Sequence, residues 1–414
     1  MLIKTISRLA HNRVPGQVVI QYTEVCNAAC PQCGMRKSNK FNRSTMDFNK
    51  AKKIIDHAAT HGVSALSFTG GEPFLYFDEI MRLIDHASSA GIRYIRTGTN
   101  GFLFQNHNDP DFEHRIETMA LALARTNIYT FWISVDSSIP SMHEKMRGLP
   151  GVMEGIGKAL PIFHKHGLYP SANLGINRNI GSLKGITARD PKNFYREYRA
   201  AFGKFFDLMI DIGFTIVNAC YPMSIESGNG SGLNAVYAAT SEAVIVNFTS
   251  REKSLLYKAL ADTIPEYRRK IRIFSPRSAL LSLSRSHAGE PESPYPCRGG
   301  IDFFFVDAKN GETYPCGYKG GDKLGNFTDL DISKNGHKAS CRDCDWECFR
   351  DPSELFGPLQ ELFGRPASFI SRFWTDRENM KVWLTDLKYY RACNFFNGRK
   401  KPNYKKLAAF QSAS

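Results

Sequence analysis

Over the first 220 positions, two hydrophobic periods alternate. Short apolar runs at 18–22, 65–68, 92–97, 128–135, 171–176 and 214–220 read as strands. Between them, apolar residues recur at helical spacing: Ala51, Ile54, Ile55 and Ala58 in 48–61, and Ile80, Leu83, Ile84 and Ala87 in 77–90. Further helices are expected over 111–124, 152–166 and 193–212. Asp47 is placed to cap the first helix, and Gly62 and Gly91 to end the first two. Six strand–helix alternations imply a parallel sheet with right-handed crossovers, an α/β fold.

After residue 220 the pattern changes. Residues 224–235 are rich in Gly, Ser and Asn and read as a linker. Residues 240–270 carry helical periodicity through Leu255, Leu256, Leu260 and Ile264, and 275–296 read as a Ser/Pro-rich connection. An apolar strand at 301–306, the turn pair Asn310-Gly311 and a return strand at 312–315 predict a hairpin. Leu355, Phe356, Leu359, Leu362 and Phe363 begin an apolar helical stripe that reads as core. The expected organisation is a leader over 1–16, a sheet-and-helix domain over 17–235 and a helical connection over 236–296. A cysteine-rich hairpin domain over 297–350 and C-terminal helices with a basic tail over 351–414 complete it.

Four strand ends carry candidate chemistry. The first runs into Cys26, Cys30 and Cys33, spaced C-x3-C-x2-C. Three thiolates suit a [4Fe-4S] cube with one iron left open, whereas structural zinc usually closes with four protein ligands. The second strand ends in Thr69-Gly70-Gly71-Glu72-Pro73, where glycines permit close backbone approach and a carboxylate is available for an ammonium group. The third and fourth end in Thr99 and in Ser134 with Asp136, where parallel sheets bind ligands; Asp136 could instead cap the next loop. Asn173 on the fifth strand is a further ligand contact, and Arg147, in a loop over 143–148, could pair with a carboxylate.

A second cysteine field follows the connection. Cys297 and Cys316 bracket the hairpin, and Cys341, Cys344 and Cys348 form a C-x2-C-x3-C run. Iron–sulfur and zinc ligation both fit a C-x2-C pair joined by a hairpin pair. Ten cysteines with no signal peptide and no membrane-length apolar run point to metal chemistry in a reducing cytoplasm. The net charge of +14 is spread along the chain, apart from Arg399, Lys400, Lys401, Lys405 and Lys406. That tail reads as solvated, with RNA or phosphate contact the less favoured alternative.

The first cysteine loop and the Gly-Gly-Glu-Pro strand end resemble those of the radical S-adenosylmethionine (radical SAM) superfamily. The resemblance implies a partial (β/α)6 barrel whose Cys26, Cys30 and Cys33 hold a [4Fe-4S] cluster, its open iron chelated by SAM. Gly70, Gly71, Glu72 and Pro73 would bind the SAM amino group; Thr99 and Ser134 match SAM-contacting positions, and Asp136, Arg147 and Asn173 are further SAM or substrate contacts. One electron, from a donor such as flavodoxin or ferredoxin, would cleave SAM to a 5′-deoxyadenosyl radical that abstracts hydrogen from substrate. Gln32 departs from the aromatic residue usual before the last cysteine. The second field resembles the SPASM module and its shorter form, twitch, which implies one auxiliary [4Fe-4S] cluster on Cys297, Cys316, Cys341 and Cys344, with Cys348 an alternative ligand. Cys348, Cys393 and Cys220 are candidate hydrogen-atom donors; buried inert thiols are the other reading. The favoured substrate is a peptide or protein side chain, to be crosslinked, epimerised or oxidised. Next comes a small molecule such as an aminoglycoside or nucleoside, then RNA. A non-catalytic iron–sulfur or zinc binding module is the reading from another class.

Overall fold

The structure is a computed structural model that describes residues 8–9, 12–33, 42–181, 185–222, 244–291, 293–332 and 339–410. Its strands form one ten-stranded sheet in the order β10-β9-β8-β1-β2-β3-β4-β5-β6-β7. The parallel series is β1 (Gly16–Thr23), β2 (Val63–Gly70), β3 (Tyr94–Thr99), β4 (Thr130–Ser134), β5 (Ser171–Gly175), β6 (Ile216–Cys220) and β7 (Arg272–Ile273). The crossovers are α1 (Phe48–Thr60), α2 (Phe77–Ser89), α3 (Phe112–Arg125), α4 (Pro140–Arg147), α5 (Val152–Lys165) and α6 (Pro191–Ile212). The Asp47 side chain accepts from the Lys50 amide at 2.8 Å, the cap its position implied.

Alternation along the strands explains the curvature. Val18, Ile20, Tyr22, Ile95, Phe131, Ile133, Leu174 and Val217 are buried against the helices. The residues between them, including Gln17, Ser67, Arg96, Trp132, Asn173 and Asn218, all line one central cavity. Strand side chains alternate faces, so six strands can share one inner cavity only if the sheet curls around it. The strand order does not close on itself, which makes this a partial barrel.

The hairpin extends this same sheet. β8 (Phe303–Val306) lies parallel to β1, from Gln17 opposite Phe303 to Ile20 opposite Val306, and β9 (Glu312–Tyr314) and β10 (Gly325–Asn326) follow antiparallel. The Asp307 carboxylate organises the turn, its Oδ1 accepting from the Asn310 and Glu312 amides at 3.0 Å each. Arg13 ties the strand-1 entry to this module through Asp302 at 2.6 Å and the carbonyls of Ile301 and Ile332 at 2.8 Å.

The connection expected over 275–296 needs correction. Residues Arg277–His287 form helix α8, packed through Ala279, Leu280 and Leu283 against α7 (Ser250–Tyr267). Its serines made it read as coil, yet Ser282 and Ser284 donate to Glu354 and to the Ser254 carbonyl. The loop expected over 143–148 is mostly helix α4, and the linker at 224–235 lies outside the described residues. The C-terminal helices are α9 (Glu347–Gly364), α10 (Pro366–Thr375), α11 (Arg377–Ala392) and α12 (Tyr404–Leu407). After α11 the chain crosses the strand starts: the Gly398 amide donates to Tyr129 O at 2.9 Å, and its carbonyl accepts from the Tyr169 amide at 2.6 Å. Phe395 and Phe396 thereby line one end of the cavity. Part of the expected basic tail is docked: Arg399 donates to the α3 carbonyls of Leu123 and Ala124, and Leu407 is buried. Among the described residues no helix is long and apolar enough to cross a membrane.

Candidate active site

The cavity inside the sheet has a volume of 520 Å³, and every strand-end residue singled out above lines it, from Gly70 to Asn173. So do Cys26, Cys30 and Cys33, in the loop that leaves β1; none of the three is in a disulfide. Their loop is held against the end of β2. The Gly71 amide donates to Thr23 O at 2.7 Å and the Glu72 amide to Val25 O at 2.8 Å. A methyl group on Gly70 would overlap the Thr23 carbonyl, and one on Gly71 the Val25 carbonyl. The glycine pair therefore serves contact between two strand ends as well as approach to a ligand. The Ala28 amide and the Asn100 side chain reach the Cys26 sulfur at 3.5 and 3.8 Å.

Glu72 is fully buried and turned into this scaffold. One carboxylate oxygen accepts from the Phe74 amide at 2.9 Å and the other from the Asn100 amide at 2.6 Å. Burial pushes its pKa up to about 7 despite those amides. Thr99 Oγ1 accepts from the Gly101 amide at 3.1 Å. Asp136 is a second hub: it pairs with Arg147 at 2.8 Å and accepts from Gln32 at 2.9 Å and from the Gly175 amide at 3.2 Å. Arg147 is thus already charge-balanced, and Gln32 ties the cysteine loop to the end of β4. His143 Nδ1 accepts from the Asp136 amide at 3.1 Å, and burial lowers the pKa of that ring to about 4. Asn173 holds Asn218 at 2.9 Å and Cys220 at 3.3 Å across the inner face of β5 and β6.

Beside β8, the second cysteine field gathers Cys297, Cys316, Cys341 and Cys344. Cys297 and Cys341 face each other across a backbone bridge, with the Cys297 amide 2.9 Å from Cys341 O. Each of the four sulfurs receives the amide of the residue two positions on: Gly299, Tyr318, Asp343 and Trp346. Amides aimed at sulfur stabilise the thiolate form that metal ligation needs, so these four cysteines, and Cys26 in the first loop, have the donor chemistry of iron–sulfur ligands. Burial raises the Cys297 thiol to about 11 and the Cys316 thiol to about 12. Asp345, between Cys344 and Trp346, anchors the turn through Lys253 at 2.8 Å, Tyr257 at 2.9 Å and His287. Among the described residues no group of three or more His, Cys, Asp or Glu is drawn together as for a single metal ion.

Two further cysteines have different surroundings. Cys348, the alternative cluster ligand, faces Glu347 and Arg96 and lines the central cavity. Cys393 is fully buried in a satellite core with Tyr389 and Phe396 and does not line the cavity. Cys220 and Cys348 remain within the cavity, on either side of Glu347. Sequence reasoning missed Arg96, Trp132 and Glu347. Their signal was strand phase: Arg96 and Trp132 share the inward register of Gly98 and Ser134. Trp132 stacks over Gly98, where any side chain would collide with the indole.

Comparison with known proteins adds the following. A family model described as "4Fe-4S single cluster domain" matches residues 14–123, the stretch holding Cys26, Cys30 and Cys33. The AdoMet-dependent heme synthase of Methanosarcina barkeri is 22% identical over 310 residues, which is 75% of this chain and 79% of that protein. The GTP 3′,8-cyclase of Vibrio vulnificus is 30% identical over 151 residues, 34% of this chain and 41% of that one. The crystal structure of Streptococcus suis SuiB aligns with a TM-score of 0.52 at 16% identity, over 80% of this chain and 68% of that chain, a likeness of fold.

Proposed function

We infer the reaction from the premise that this chain belongs to the radical SAM superfamily: it cleaves SAM reductively and takes a hydrogen atom from a carbon of a substrate held inside the sheet. The observation that carries this reading is that Cys26, Cys30 and Cys33, the Gly70–Pro73 edge and the Cys348 thiol line one cavity. When bound, the cluster and SAM supply a carbon-centred oxidant strong enough to break a C–H bond. The chain's own residues do the rest.

Cys26, Cys30 and Cys33 hold the cluster, and the backbone of Gly70 and Gly71 with Thr99, Ser134 and Asn173 forms the SAM side of the cavity. Glu72 fixes β2 to the loop after β3, and the Gln32–Asp136–Arg147 group fixes the cysteine loop to β4. Pro73 starts the short turn that Glu72 caps. Sheet, α9 and the C-terminal crossing keep water from the reacting carbon. Cys348 is the candidate hydrogen donor: its S–H bond breaks as a C–H bond forms on the substrate radical, and the resulting thiyl sulfur returns to the thiol by taking one electron from a one-electron protein donor such as flavodoxin or ferredoxin and one proton from solvent. Cys297, Cys316, Cys341 and Cys344 hold an auxiliary [4Fe-4S] cluster.

A cavity of 520 Å³ is the size of a small-molecule site. The two curated relatives above are named for making heme and cyclising GTP, which favours a small molecule. A peptide side chain entering the same cavity is the second reading, because SuiB, the fold neighbour, was also solved bound to its precursor peptide SuiA. The test is a Cys26→Ala, Cys30→Ala, Cys33→Ala variant, reconstituted anaerobically and reduced with dithionite. It should form no 5′-deoxyadenosine above the protein-free control; formation at the wild-type rate contradicts the reading.

A further inference from the structure

Among the described residues, Arg96 is a charged side chain on the inner face of the strands with no carboxylate partner. It sits mid-strand on β3, between Tyr94 and Gly98, which also face the cavity. Its Nε is buried without a partner, and among the described residues it forms no hydrogen bond or ion pair. Arg272, a buried arginine on β7, shows what a structural role looks like: its guanidinium donates to Thr215 O at 3.2 Å, Thr215 Oγ1 at 2.9 Å and Asn397 O at 3.2 Å. An enclosed, unpaired guanidinium costs several kcal/mol unless a counter-charge arrives.

Among the described residues, no group on the cavity wall supplies that charge. Asp136 is neutralised by Arg147, and Glu72 spends both oxygens on backbone amides. Glu347 is held at the Cys220 and Cys348 thiols, and burial raises its pKa towards the neutral form. We propose that Arg96 anchors a carboxylate of the substrate, held as a planar guanidinium–carboxylate pair inside the cavity. This rests on the reading that the substrate occupies this cavity. The wall supports a carboxylate over a phosphate: among the described residues one unpaired cation balances one negative charge, and the guanidinium fork matches the two oxygens of a carboxylate. Around it, Tyr94 and Tyr129 meet edge to face at 5.0 Å, with Trp132 and Phe274 beside them. The substrate is therefore an acid on an apolar or aromatic body.

The test uses the full chain and three probes that share one ring: benzoate, benzamide and phenyl phosphate, titrated by calorimetry. Benzoate should bind at least about tenfold more tightly than benzamide, and Arg96→Gln should erase that preference. Equal binding of benzoate and benzamide, or a preference that survives in Arg96→Gln, overturns the proposal. Tighter binding of phenyl phosphate than of benzoate overturns the carboxylate assignment. Should Arg96→Gln fail to fold, phenylglyoxal modification of the wild type, read by peptide mapping, decides instead: benzoate should protect Arg96 and benzamide should not, and equal modification overturns the idea. None of these readouts needs SAM cleavage, so the superfamily reaction and the anion site can fail separately.

Discussion

Gly71→Ala tests the join between the cysteine loop and the sheet. The added methyl would lie well inside contact distance of the Val25 carbonyl, a backbone atom that cannot rotate away. Restoring ordinary contact needs a backbone shift on the order of 1 Å. That shift strains two hydrogen bonds, Gly71 to Thr23 at 2.7 Å and Glu72 to Val25 at 2.8 Å. Each contributes roughly 1 kcal/mol net, and forced overpacking costs about 1–3 kcal/mol more. The expected loss is therefore about 3–5 kcal/mol. Because the same backbone carries Cys26, a displacement on the order of 1 Å should also slow 5′-deoxyadenosine formation about a hundredfold. Urea unfolding of the metal-free protein reads the first quantity, and turnover of the reconstituted protein the second. A variant with a stability loss under about 1 kcal/mol and turnover within about twofold of wild type would refute the reasoning. Gly157→Ala is the matched control: this helical glycine has open space where the methyl would go, so stability should rise by about 0.5–1 kcal/mol.

Two further predictions concern the frame around the site. Arg268 and Asp386 form a buried ion pair between α7 and α11, and Asp386 also accepts from the Ser278 amide at 2.8 Å. Asp386→Ala leaves the arginine uncompensated and should cost about 3–5 kcal/mol in urea unfolding; a loss under about 1 kcal/mol would contradict the pairing. His143 has its folded pKa lowered by burial to about 4 from 6.5, so the unfolded chain binds the proton more readily. Its contribution is complete above pH 6.5 and lost as pH falls towards 4, at up to about 1.4 kcal/mol per pH unit. His143→Asn should flatten that part of the stability profile, and parallel profiles for variant and wild type would rule the ring out.

Much of the barrel was legible because each unit declares itself locally. Ala51, Ile54, Ile55 and Ala58 repeat at helical spacing and are all buried in α1. What stayed hidden is non-local. The pairing of β8 with β1 joins residues nearly three hundred positions apart, so the hairpin read as part of a separate module. Helix α8 was obscured by serines whose partners lie on other helices. The cysteine spacings in the second field left five candidate ligands, and that Cys348 lines the central cavity beside Glu347 and Arg96 is visible only in the fold. Arg96 could have been noticed as a charge in mid-strand, but its lack of a partner is a property of the folded cavity.

The most direct test of the central claim is iron and sulfide reconstitution under anaerobic conditions, followed by iron counting and a 5′-deoxyadenosine assay after dithionite reduction. Two cubes on the two cysteine sets predict about eight irons per chain together with SAM cleavage. Iron incorporation with no 5′-deoxyadenosine formed would contradict the claim and leave a metal-binding module without radical chemistry.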